Sequence, residues 1–183
     1  MTKKVYIFFA EGFEEIEALA PVDILKRAGL DVTLVSITGN QIVKSTRGVG
    51  IVTDVLIEQT NCNDADLLVL PGGQPGANNL DKHEGLRKIV LDANNKKTYI
   101  AAICAAPLVL GHLGLLDGKK ATCYPGTEPE LKGAVTTGSA LEISQNIITS
   151  KGAGTAIKFS LALVELLVSK QKALDLKAKM MID

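Results

Sequence analysis

The chain has 183 residues, 46% apolar and 22% charged, with 20 Lys+Arg balancing 20 Asp+Glu. That length predicts one globular domain over 1–183, with a core large enough to fold without disulfide or metal. Zero net charge argues against a nucleic-acid binder, whose phosphate contacts need a basic excess, and the apolar content argues against disorder. No stretch reaches the ~20 apolar residues that cross a bilayer, so no membrane association is expected. Lys3-Lys4 and the apolar run 5–10 mimic a short signal peptide, but Glu11, Glu14, Glu15 and Glu17 follow at once, against export. Cys62, Cys104 and Cys123 cannot all pair within the chain, and none lies in a Cys-x-x-Cys pattern. This suits a reducing, cytoplasmic setting.

In chain order, a strand is predicted over 5–9 and a helix over 14–28, stopped by Gly29. Strands follow at 32–37, 42–45, 50–53 and 67–70, then a helix at 84–94 and a strand at 99–103. A helix over 105–113 and short strands at 121–123 and 147–149 come next. Gly152-Ala153-Gly154 opens an apolar helix to about Ser169, with Thr155 in or near its cap, and a tail helix covers 173–180. Four of the strands are near-continuous runs of apolar residues, as a parallel sheet covered on both faces requires. The alternation gives an α/β sandwich with a mostly parallel sheet. Its sites form at C-terminal strand ends, which here means the loops 10–13, 71–76 and 104–107.

Cys104 is the sharpest chemical signal. It stands where a strand turns abruptly into a helix, among the small residues Ala102, Ala105 and Ala106, with Pro107 fit for the first helical turn. A thiol facing unpaired N–H groups at a helix start has a lowered pKa and raised reactivity. The plainer reading is a buried, space-filling cysteine. On a helical wheel Glu17 shares the face of Phe13, Ala20, Pro21, Ile24 and Ala28, whereas Glu15, Asp23 and Lys26 point away. A carboxyl on that sheet-facing side keeps its proton to higher pH and can donate a hydrogen bond. Its plainer reading is a glutamate reaching solvent past Pro21, or capping a nearby amide.

Gly72 and Gly73, in Pro71-Gly72-Gly73-Gln74-Pro75-Gly76, let backbone N–H groups approach a ligand or an oxyanion; otherwise the segment is a plain turn. Gly152-Ala153-Gly154-Thr155 fits an anion at a helix start, or simply helix entry with close packing. No Gly-x-Gly-x-x-Gly follows the first strand, and Gly114–Lys119 has the wrong spacing for a P-loop. His83 and His112 are the two histidines, and no His, Cys and carboxylate cluster has metal-ligand spacing, so no metal and no cofactor is expected. His112 lies eight residues after Cys104, too far along the helix to be its base, and reads as a helix-end residue. Cys62, in Asn61-Cys62-Asn63-Asp64, reads as a loop thiol and Cys123 as a strand-edge thiol.

Several blocks in order make the chain resemble the ThiJ/PfpI family end to end, within it the branch of the human parkinsonism-associated protein deglycase and its bacterial homologues. The blocks are Ala10-Glu11-Gly12-Phe13-Glu14-Glu15-Ile16-Glu17, Ser45-Thr46-Arg47-Gly48, Val69-Leu70-Pro71-Gly72-Gly73, Ala101-Ala102-Ile103-Cys104-Ala105-Ala106-Pro107 and Thr149-Ser150-Lys151-Gly152-Ala153-Gly154-Thr155. The resemblance implies a flavodoxin-like fold and a homodimer. It implies that Cys104 is the elbow nucleophile and Glu17 the protonated carboxyl that hydrogen-bonds it. It implies that Gly73 and Ala105 supply the oxyanion N–H groups, and that Cys104 oxidises readily to sulfinic acid.

Two departures matter. Tyr124 stands where many relatives carry His, and tyrosine is a poor base at neutral pH. Ala105 stands where the protease-like branch has His, which argues against peptide hydrolysis. The expected activity is therefore cofactor-independent chemistry on methylglyoxal, glyoxal or early glycation adducts of proteins. The alternative is a redox-sensing or chaperone-like stress protein. Tyr124 and Gly72 are expected to line the site.

Overall fold

A computed structural model describes residues 2–60 and 62–182, so Asn61 lies outside the described residues. The chain runs β1 (Lys4–Phe9), α1 (Glu15–Arg27), β2 (Asp31–Ser36), β3 (Ile42–Lys44), β4 (Gly50–Val52), β5 (Val55–Leu56), β6 (Leu67–Leu70), α2 (Gly76–Lys82) and α3 (Glu84–Asn95). It continues β7 (Tyr99–Ile103), α4 (Pro107–His112), β8 (Lys120–Ala121), β9 (Val135–Thr136), β10 (Leu141–Ser144), β11 (Ile147–Ser150), α5 (Ala156–Leu167) and α6 (Lys170–Lys179). The main sheet has strand order β10-β11-β7-β6-β1-β2-β5, parallel except where β10 meets β11.

The apolar runs form central strands because each has two apolar faces to bury. Successive strand side chains point to opposite faces, so each run divides between two cores. Phe8, Leu68, Leu70, Ile100 and Ala102 join the core that includes Leu80 of α2, Leu86 and Val90 of α3 and Val109 of α4. Ile7, Phe9, Leu67, Val69, Ala101 and Ile103 join the core that includes Leu25 of α1, Phe159 of α5 and Leu176 of α6. Phe8 and Phe9 are both fully buried. Each such side chain contributes about 1.5–3 kcal/mol relative to exposure.

Several details differ from expectation. Residues 104–106 form a turn, and α4 begins at Pro107 rather than Ala105. The tail helix starts earlier, at Lys170, because the Ser169 hydroxyl caps it by accepting from Lys172 N–H at 3.1 Å. α2 stands where the sequence reading placed no element, because Ala77 and Leu80 bury and Gly76 N–H reaches the Gly12 carbonyl at 3.1 Å. No helix among the described residues is long and apolar enough to cross a membrane.

The strand order reverses direction between β1 and β6: β2 lies beyond β1, and β7 beyond β6. A crevice at the carboxyl ends of strands belongs at such a switch point. The loops after β1, β6 and β7 therefore meet at one edge of the sheet.

Candidate active site

The loops are tied together by backbone bonds. Glu14 N–H donates to the Gly72 carbonyl at 2.9 Å, joining the first loop to the second. Cys104 N–H donates to the Ser150 carbonyl at 2.9 Å, and Tyr124 N–H donates to the Cys104 carbonyl at 2.7 Å. Cys104 has φ +64°, a left-handed conformation that a residue with a Cβ rarely adopts. This is the sharp elbow after β7, and it holds the sulfur out of the sheet, partly exposed to solvent.

Glu17 is 1% exposed on the sheet-facing side of α1, as its helical position predicts. Its Oε2 accepts from Gly72 N–H at 3.1 Å. The Ala153 backbone amide and the Cys104 thiol also favour its ionised form. Burial pushes Glu17 up to about 7, against the opposing pull of the Cys104 hydrogen bond, while the Glu14 charge adds to the rise. Glu14 in turn caps α1, accepting from Glu17 N–H at 2.8 Å, with Arg47 3.6 Å from its carboxylate.

The Gly73 and Ala105 backbone amides both pull the Cys104 pKa down. Gly73 has φ +92°, a conformation suited to glycine. Gly72 lacks a Cβ for a different reason. One placed there would lie 2.5 Å from Glu17 Oε2 and 2.6 Å from Cys104 Cβ. Glycine at 72 is what lets the carboxyl and the thiol meet.

The expectation of a lowered thiol pKa is corrected. Burial, then the charge and hydrogen bond of Glu17, push Cys104 up to about 12, although the Gly73 and Ala105 amides pull it down. The helix that was expected to stabilise thiolate starts at Pro107, three residues beyond Cys104, and a carboxylate faces the sulfur instead. Above pH 7 the negative charge of the pair therefore rests on Glu17. Cys62 and Cys123 are also buried, and each is raised to about 11, chiefly by burial.

Tyr124 is 56% exposed, and its ring lies beside Gly152, where an added Cβ would be 3.5 Å from Tyr124 Cδ2 and 3.9 Å from Glu17 Oε1. The structure thus gathers Cys104, Glu17, Gly72, Gly73, Ala105 and Tyr124 at one place. The sequence reading missed the Ala153 amide. It singled out the 152–155 segment, but as an anion site or helix entry; α5 begins at Ala156, and the Ala153 backbone amide favours the ionised form of a carboxyl of the same chain. His112 is remote from the sulfur. Its ring lies 2.9 Å from Asp81 Oδ2 and 2.8 Å from Glu130 Oε2, at the last turn of α4. Among the described residues no group of three or more His, Cys, Asp or Glu side chains is arranged to hold a metal ion.

The DJ-1/PfpI family profile matches residues 3–166. Protein DJ-1 homolog B of Arabidopsis thaliana is 40% identical over 99% of this chain, which spans only 42% of that protein's length. Glutathione-independent glyoxalase DJR-1.2 of Caenorhabditis elegans is 33% identical over 88% of this chain and 87% of its own. Oxidized Toxoplasma gondii DJ-1 superposes with a TM-score of 0.94, at 35% identity and 98% coverage of both chains. The fold is the flavodoxin-like sandwich that the resemblance implies, with its mostly parallel sheet. By profile, relatives and fold together, the chain belongs to the DJ-1/PfpI family.

Proposed function

We propose that this protein is a single-domain, cofactor-independent glyoxalase or deglycase that converts methylglyoxal, glyoxal or early glycation adducts through Cys104. The observation that supports this reading is the meeting of the Glu17 carboxyl and Cys104 over Gly72, whose N–H donates to Glu17 Oε2 at 3.1 Å. The Cys104 S–H passes its proton to Glu17 as the sulfur attacks the aldehyde carbon of methylglyoxal. A Glu17 pKa of about 7 suits a base working near neutrality. The carbonyl oxygen takes the electron pair and is held by the Gly73 and Ala105 amides, then receives the proton from Glu17, giving a hemithioacetal. Glu17 next removes the hydrogen from the former aldehyde carbon and returns a proton to the neighbouring carbon, while the hydroxyl proton of the hemithioacetal passes to the ketone oxygen. The product is a thioester of lactate, and water hydrolyses it to lactate and free thiol. The net reaction adds one water to methylglyoxal.

Tyr124 lines the entrance in this reading. The name of the Caenorhabditis relative supports the dicarbonyl chemistry, and repair of glycated protein would use the same first steps. The test is lactate formation from methylglyoxal without glutathione. Reduced wild type should turn over, and Cys104→Ser should lose at least about 100-fold. Full turnover by that variant would end the proposal.

A second reading, a redox-sensing or chaperone-like stress protein, is favoured by the partial exposure of Cys104, the one of the three cysteines that is not buried. Limited peroxide should then add two oxygens selectively at Cys104, read by intact-mass and peptide spectrometry. Equal labelling of Cys62 and Cys123 would remove that reading.

We also infer a cytoplasmic homodimer. Three free cysteines suit the compartment. For the dimer, Ile42, Val49 and Val52 expose apolar surface on and beside the β3–β4 hairpin. Ile16 exposes more on α1, next to Glu15, whose carboxylate bonds Ser45 of that hairpin region. Grouped apolar exposure of this kind marks an interface.

A further inference from the structure

A groove of about 610 Å³ runs between α5 and α6, and none of its lining residues belongs to the Cys104 site or to the β3–β4 hairpin. Only residues 168–169 join the two helices, and so short a connection sets them side by side and antiparallel. Ile157, Leu161 and Ala162 of α5 form one wall, and Ala173 and Leu174 of α6 form the other. Ile157 and Leu174 are 42% and 49% exposed, although they face a common cleft. Apolar exposure grouped in this way marks a binding surface, and the volume falls within the range of about 300–1,000 Å³ that holds small molecules. The end of α6 adds a further wall. Met181 N–H donates to the Ala178 carbonyl at 3.1 Å and Ile182 N–H to the Lys177 carbonyl at 3.0 Å, the paired bonds of a Schellman stop. Met181 takes φ +54° to make them, a conformation that usually falls to glycine, and the turn brings Ile182 onto the groove.

The charges on this groove do not balance. Lys158, Lys170 and Lys177 line it against a single carboxylate, Glu165. Among the described residues none of these lysines forms a salt bridge. Glu165 and Lys170 flank the turn between the helices, so the one acid offsets the one lysine there. Lys158 lies seven residues before Glu165 and Lys177 seven after Lys170. That places both about 10 Å further from the turn, at an end where no acidic residue lines the groove. We infer that the groove binds a medium-chain alkyl carboxylate, a fatty acid taken up as the free monomer. Its carboxylate sits between Lys158 and Lys177, whose apolar stems extend the walls. Its tail runs along Leu161, Ala162 and Leu174 toward the turn. A protein partner needs more surface, about 800 Å² on each side, and of the lining residues only Ile157 and Leu174 are large, apolar and exposed.

The test is isothermal titration of the whole chain with decanoate at low salt and below its micelle concentration, beside decanol and decyltrimethylammonium. Decanoate should bind about tenfold more tightly than decanol, which offers the lysines no charge, and decyltrimethylammonium should not bind. Lys158→Gln combined with Lys177→Gln should weaken decanoate about tenfold and leave decanol unchanged, whereas Lys170→Gln should alter decanoate by less than about twofold. Ala162→Trp should abolish binding of both, because its indole takes the place of the tail. Cys104→Ser should bind as wild type does, which separates this site from the proposed reaction. No decanoate binding by wild type would overturn the inference. So would equal binding of decanol or of decyltrimethylammonium, or decanoate affinity unmoved by the paired lysine change. Lys158 is exposed and Lys177 half-buried, so the paired variant decides even if Ala162→Trp fails to fold. Light scattering of Ala162→Trp addresses the other occupant. A monomer there, where wild type is a dimer, would show that a second copy fills the groove and would overturn the inference as well.

Discussion

A carboxyl 1% exposed on the inner face of α1 keeps its proton to about pH 7, and that has a cost the whole fold feels. The ordinary value is 4.5, so between pH 4.5 and 7 the folded chain binds more protons at Glu17 than the unfolded chain. Stability therefore falls as pH rises through that window, by at most about 3 kcal/mol. Glu17→Gln should remove this slope, as urea unfolding at several pH values would check; an unchanged slope would place the titration elsewhere. Gly72→Ala should cost at least about 100-fold in turnover, since its methyl would press on Glu17 and Cys104 together. Near-wild-type activity in that variant would show the pair need not touch. Glu17 was legible because the helical period separates its face from that of Glu15. Cys104 was legible because small residues crowd a strand-to-helix turn. The direction of the thiol pKa was not, because burial and then a facing carboxylate from another element raise it, and no local pattern reports either.

At the scale of elements, α4 is short, and its end is clasped rather than capped. His112 lies between Asp81 of α2 and Glu130, and Arg87 of α3 bonds the other Asp81 oxygen at 2.8 Å. The hydrogen bond with Asp81 first, and that with Glu130 after the opposing effect of burial, hold the His112 pKa above its usual 6.5. A raised histidine pKa gives a contribution to stability that is full below 6.5 and lost as pH rises through the folded value. In a Glu17→Gln background, where the carboxyl slope is absent, thermal stability should still decline above pH 6.5. Adding His112→Gln should flatten that decline, and a decline that persists would refute the clasp. The helix was legible from its apolar pattern, and the dipole reading of His112 was right about its place. Its partners were not legible, since Asp81 and Glu130 come from distant segments. α2 was not legible either. Gly76-Ala77-Asn78-Asn79 has weak helix propensity, and burial of Ala77 and Leu80 overrides it.

For the molecule as a whole, the four continuous apolar runs determine most of the architecture, because a strand apolar on both faces must lie inside a covered sheet. β10 escaped notice since its Leu-Glu-Ile-Ser sequence is short and mixed, and it joins only as the antiparallel edge. The switch point between β1 and β6 then places three loops together, which is why the candidate site could be located from strand ends alone. If the exposed apolar hairpin is a dimer interface, Val52→Asp should yield a monomer in light scattering at micromolar concentration, where wild type is a dimer. A wild-type monomer at every concentration would contradict the inference. The claim that joins all three scales is that Cys104 and Glu17 together move a proton between the two carbons of a dicarbonyl. The most direct measurement is proton NMR of methylglyoxal turnover in deuterated water by reduced protein without glutathione. The account predicts lactate carrying deuterium at C2 and none formed by Cys104→Ser or Glu17→Gln; no lactate from wild type, with Cys104 verified as free thiol, would contradict it.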